Sequence, residues 1–157
     1  MNNIIPYVKG EIITILPEFL DRAYKKFKNV NVKREQKIYG FACQWQVEHD
    51  IITNMNINTV KDDKSEITDY SPFDFRIGDV YYDVKTSQKG NSITISDREI
   101  TFAEKHNTTF ICLKHRQDLG EDIFEYLTCI TFEEILENDL LNKSNYMDGY
   151  YIFTSKL

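Results

Sequence analysis

The spacing of apolar positions changes several times along the chain, and each change marks an element. After Pro17, Phe19, Leu20, Ala23, Tyr24 and Phe27 recur at helical spacing. Proline suits a first helical turn, where its missing N–H is not needed. Lys25, Lys26 and Lys28 follow near the end of this stretch, where cations complement the helix dipole. A second helix is predicted over residues 33–48 on the stripe Ile38, Phe41, Ala42 and Trp45. The period then falls to two over residues 73–77 and 80–84, with Gly78-Asp79 between them as a two-residue hairpin turn. A short strand over residues 92–95 leads into Ser96-Asp97-Arg98-Glu99, a capping box that opens a helix running to about Lys105. Residues 108–113 and 123–130 are nearly continuously apolar, as in strands covered on both faces. A second capping box, Thr131-Phe132-Glu133-Glu134, opens the last helix, residues 150–153 suit an edge strand, and the polar residues 54–70 read as a long loop.

This order predicts an α/β fold in which a central mixed β-sheet carries the hairpin and is flanked by helices. The 157 residues, without repeat or linker, fit one domain spanning 1–157. Apolar runs such as residues 12–16 fall far short of the roughly 20 residues that cross a bilayer. The start Met1-Asn2-Asn3 has no signal-peptide pattern, so a cytoplasmic protein without membrane association is expected. Cys43, Cys112 and Cys129 form no Cys-x-x-Cys pair and are expected to be reduced thiols. The net charge of -6 disfavours a non-specific nucleic-acid binder, but the charge is segregated. Residues 22–37 carry seven bases against the single acid Glu35, whereas residues 117–139 carry eight acids and no base. Lys33 and Lys37 therefore belong either to a solvated face or to a basic edge that suits a polyanion.

The hairpin carries the candidate chemistry. With Gly78 and Asp79 in the turn, Phe75 opposes Tyr82 and Asp74 falls opposite Asp83. Alternation sends Phe73, Phe75, Ile77, Val80, Tyr82 and Val84 to one face, and Asp74, Arg76, Tyr81, Asp83 and Lys85 to the other. Opposed Cβ atoms lie about 4.5–5.5 Å apart, and like charges there repel. Either Arg76 and Lys85 satisfy the pair as edge carboxylates, or a hard divalent cation such as Mg²⁺ neutralises it, in which case Lys85 on the same face could orient or deprotonate a water or stabilise phosphate charge.

Ser71-Pro72-Phe73-Asp74, followed across the hairpin by Asp83-Val84-Lys85, resembles the PD-(D/E)XK nuclease superfamily of restriction endonuclease-like proteins. The likeness extends over roughly residues 33–130, with Phe73 interrupting the literal Pro-Asp pair. It implies a Mg²⁺-dependent endonuclease, with Mn²⁺ as a substitute, that hydrolyses phosphodiester bonds in DNA, RNA remaining open. Asp74, Asp83 and the Val84 carbonyl would hold the metal, and Thr86, Ser87 and Lys89 would contact phosphates. Pairing of two copies, to cut two strands, is a further implication. An acid on an upstream helix should complete the site, either Glu35 or Glu48. Glu35 shares a face with Ile38, Ala42 and Trp45, whereas Glu48 lies roughly 140° around the helix from it, so Glu35 is preferred. Two other readings stay open: a catalytically inactive nucleic-acid-binding or protein-interaction module on the same fold, and an acidic partner protein using residues 117–139. His49, His106 and His115 have no metal-ligand spacing.

Overall fold

The computed structural model describes residues 4–56 and 71–157. Most of the expected loop over residues 54–70 lies outside the described residues. Strand β1 (Ile12–Thr14) precedes helix α1 (Pro17–Lys26), which starts on Pro17 as expected. The orphan N–H of Leu16 at its start is taken by Gln46 Oε1 at 2.8 Å. Helix α2 (Arg34–Met55) is a full turn and more longer than the expected 33–48, ending where Asn56 adopts the left-handed conformation (φ 49°). The hairpin β2 (Phe75–Ile77) and β3 (Val80–Ser87) pairs in the expected register, Ile77 with Val80 and Phe75 with Tyr82. Gly78 sits at φ 58°, which its turn position requires and a side chain would resist.

Strand β4 (Ser92–Ser96), helix α3 (Asp97–His106) and strand β5 (Thr109–His115) follow, then β6 (Ile123–Thr131), helix α4 (Phe132–Glu137), β7 (Asn142–Lys143) and β8 (Gly149–Phe153). The main sheet is mixed, with five strands in the order β1-β6-β5-β3-β2. Among the described residues only β3 and β5 run parallel, joined through α3. The chain is therefore mixed α/β with helices flanking the sheet. β4 does not join this sheet. It pairs with β8, and β7 pairs with the other side of β8, in a separate antiparallel sheet. Residues 150–153, expected at an edge, thus form the middle strand of a small sheet, a distinction their apolar pattern does not encode.

Two cores lie on opposite faces of β5. Ile111 and Leu113 pack with Phe75, Phe124 and the buried side of α1 and α2, while Phe110 and Cys112 pack with Ile93, Ile95, Ile100 and Ile152. Coverage on both faces explains why β5 reads as an unbroken apolar run. Gly149 faces Ser96 so closely that a Cβ there would meet the Ile95 carbonyl oxygen at 2.5 Å, and the Asp97 amide donates to the Asp148 carbonyl at 3.0 Å. The small sheet is thereby fastened to the first turn of α3. Among the described residues no helix is long and apolar enough to cross a membrane.

Candidate functional site

Asp74 lies just ahead of β2 and finishes the hairpin in an unusual way. Its amide donates to the Tyr82 carbonyl at 2.9 Å, and its Oδ2 accepts the Val84 amide at 2.7 Å, so a side chain stands in for the next ladder carbonyl. This pins the carboxylate against β3 beside Asp83. It also breaks the expected alternation: Phe73 does not follow Phe75 into the helix-facing core. Instead it packs against Tyr81 and Phe102, with ring centroids 4.9 and 5.3 Å away. Regular alternation holds only where the backbone ladder does, and here it ends at Phe75.

Asp83 and Lys85 point from β3 toward α3, and Asp83 is 3% exposed. Lys85 Nζ is 3.4 Å from Asp83 Oδ2 and pairs closely with Glu99 Oε2. Glu99 is the third residue of α3, held by the capping box: Ser96 Oγ accepts the Glu99 amide, while Glu99 Oε1 accepts the Ser96 amide at 3.0 Å. The carboxyl of Asp83 lies within hydrogen-bonding reach of both Asp74 and Glu99. Three acids therefore surround one lysine.

The electrostatics follow from that imbalance. Burial pushes Asp83 well above the usual carboxylate range; Asp74 and Glu99 add to the rise and Lys85 opposes it. Asp74 is raised by burial too, an effect offset in part by its contacts with Asp83 and the Val84 amide. Burial would also raise Glu99, but Lys85 together with hydrogen bonds brings it down to about 2. Burial works against charge on Lys85, yet Asp83 and Glu99 outweigh it and hold the amine firmly as ammonium. Lys85 is thus held as a cation in the metal-free cluster.

These residues floor a cleft of about 810 Å³. One wall is Lys33 and the first half of α2, with Lys37, Gly40, Phe41 and Gln44, and the other carries Thr94, Ser96, Arg98 and Met147. Thr86 and Lys89, expected to contact phosphates, line it, and Gln88 ties the turn after β3 to α2 by donating to the Gln36 carbonyl at 2.8 Å. Ser87 does not belong with them. It is 1% exposed, and its hydroxyl donates to the Gly90 carbonyl at 2.9 Å to close the turn.

Glu35 is corrected as well. Its side chain is 69% exposed and pairs with Lys89 at 3.5 Å on the outer rim, away from Asp74 and Asp83. The assigned phase is sound, but Glu35 occupies the first turn of α2, where nothing covers it. Farther along, α2 is enclosed by α1 and the sheet, so Gln44, Gln46, Val47 and Glu48 are all buried whatever their angle, and Glu48 does not point to solvent. The helix acid that joins the aspartates is Glu99. Its place in the first turn of α3 was visible in the Ser96 capping box, but the parallel β3–β5 crossover that carries it onto Lys85 was not.

The donor set suits a hard divalent cation in kind: carboxylate oxygens only, acid in excess of base, and a buried Asp83 Oδ2 with no hydrogen-bond donor. Among the described residues no group of three His, Cys, Asp or Glu side chains stands arranged as a cation site, since Glu99 is turned to Lys85 and Asp74 to the Val84 amide. No family model, no characterised protein and no solved structure matches the chain.

Proposed function

We propose that the chain is a metal-dependent endonuclease that hydrolyses phosphodiester bonds in DNA, on a restriction endonuclease-like variant of the mixed α/β fold. The observation that carries this reading is the buried Asp74–Asp83–Lys85 cluster at the floor of a cleft whose rim bears Lys33, Lys37, Lys89 and Arg98. Buried carboxylates in contact need a shared proton or a cation, and a basic rim around them selects a polyanion that brings phosphate oxygens with it.

Asp74 and Asp83 would hold a magnesium ion, which when bound supplies Lewis-acid polarisation of a phosphate and a more acidic water. The chain's own residues do the rest. The rim lysines and Arg98 would seat the phosphates on either side of the scissile one. Lys85, held as ammonium, stabilises the charge that grows on phosphate oxygen as the water oxygen bonds to phosphorus and the ester P–O bond breaks. Gln44, buried yet lining the cleft, offers a carboxamide to the same space.

The test is cleavage of plasmid, linear duplex and single-stranded DNA, with RNA alongside, in Mg²⁺, Mn²⁺ and EDTA. Metal-dependent products that vanish with EDTA and with Asp83→Asn are expected. Salt-dependent binding to DNA without cleavage would favour the inactive binding module instead, and absence of both would end the nucleic-acid reading.

A further inference from the structure

Resting on the hydrolase reading, we infer that Glu99 is a positioning residue that keeps Lys85 off Asp83, leaving one to meet phosphate and the other to meet the cation. A lysine is a compact charge on a flexible stem, and beside a buried carboxylate it settles onto it unless something else holds it. Here Asp83 Oδ2 lies 3.4 Å from Lys85 Nζ without a hydrogen bond, while Glu99 Oε2 makes the close contact. The anchor is itself anchored. Glu99 Oε1 accepts from both the amide and the hydroxyl of Ser96 at 3.0 Å, so its two oxygens are divided between the start of α3 and the cleft. Side chains of Lys85 and Glu99 are 15% and 17% exposed, and both line the cleft. The lysine is therefore held where its remaining N–H groups can still reach a ligand.

This division of labour makes Glu99→Gln the informative change. Glutamine can keep the capping box, since its amide oxygen accepts from Ser96, but it brings no charge to Lys85. Removal of such an outer partner typically lowers activity or metal affinity by about 10- to 100-fold. Glu99→Gln should lower kcat within that range with KM for DNA little changed, and should weaken Mn²⁺ binding measured by calorimetry as Lys85 closes on Asp83. In a Lys85→Met background the same substitution should lose its effect on kcat, because there is no lysine left to position, while Mn²⁺ affinity falls only as far as the loss of one nearby negative charge dictates. If Glu99→Gln lowers kcat in that background as much as in the parent, Glu99 acts on the reaction directly and the inference is overturned. Fully active Glu99→Gln overturns it as well.

A readout independent of catalysis is the Lys85 ammonium resonance in nitrogen-edited NMR. The unsubstituted chain should show a slowly exchanging ammonium, assigned by its loss in Lys85→Met and lost again in Glu99→Gln. Absence from the unsubstituted chain would overturn the inference even if Glu99→Gln failed to fold. An unsubstituted chain that shows this resonance but cleaves no nucleic acid under any metal overturns the hydrolase reading and, with it, the role given to Glu99.

Discussion

The chain opens two helices with the same device, and the two differ in what lies beyond it. At α3 and at α4 a hydroxyl residue accepts the amide three positions on, while a glutamate reaches back to the capping amide: Ser96 with Glu99, Thr131 with Glu134. Oε1 of each glutamate receives the same pair of bonds, 3.0 and 3.0 Å at Ser96 and 3.1 and 2.9 Å at Thr131. The box at α4 lies at the surface, and its work ends with the helix. The box at α3 sits where β3 passes beneath it, and the free oxygen of its glutamate grips Lys85. The local motif is identical in chemistry; the candidate site arises from the strand placed against one copy of it.

The largest effect expected from breaking that contrast comes from Lys85→Met, which removes the partner that sets the first box apart. Cleavage should fall on the order of 10²–10³-fold in single-turnover assays, the size of loss seen when a fixed charge stabiliser is removed. Folding stability in urea should fall too, by about 3 kcal/mol, because Glu99 and Asp83 are left buried without their cation. A variant as active as the parent would place the chemistry elsewhere.

Cap removal sharpens the contrast further. Ser96→Ala and Thr131→Ala should each cost about 1 kcal/mol in denaturant unfolding, as cap losses do. Only Ser96→Ala should also slow cleavage, since it loosens Glu99. Equal rates in the two variants would mean that the two boxes do the same job after all.

The pH dependence of the metal-free fold gives a smaller signal with a definite sign. Glu99, lowered to about 2 mainly by Lys85 against the pull of burial, contributes stability above its ordinary value of 4.5, lost as pH falls from there toward 2. Glu99→Gln should flatten that acid limb in thermal melts. Asp83 runs the other way. Raised by burial, it stabilises below its ordinary 3.8 and loses that contribution as pH climbs through its higher folded value. Asp83→Asn should therefore melt higher than the parent at pH 7 in EDTA, and gain nothing from added Mn²⁺. A lower melting temperature would make Asp83 a structural partner of Lys85.

The smallest change belongs to the rim. Lys33→Ala with Lys37→Ala should weaken binding to DNA of any sequence and reduce the slope of affinity against salt by up to about two counterions. An unaltered slope would return these lysines to solvated surface.

Much of this arrangement was legible from residue order. The hairpin, its turn, both capping boxes and the neighbourhood of Asp74, Asp83 and Lys85 follow from local periodicity and turn chemistry, which act over a few residues. What the pattern missed at Glu48, Glu35 and Glu99 has a common cause, distance along the chain. The burial of Glu48 depends on how α1 and the sheet enclose the middle of α2, and the exposure of Glu35 on how far the helix runs past that cover. Glu99 meets Lys85 across a crossover that no sequence period records. Ser87 reads as an available hydroxyl until the turn through Gly90 is seen to consume it.

Asp74 carries two duties at once, since the carboxylate facing Asp83 is also the last rung of the hairpin through the Val84 amide. Truncation to alanine would unfasten a strand end as well as subtract a charge, whereas asparagine keeps an oxygen for the rung. The rung belongs to the backbone and the charge to the cleft, so alanine and asparagine at this one position separate the two duties.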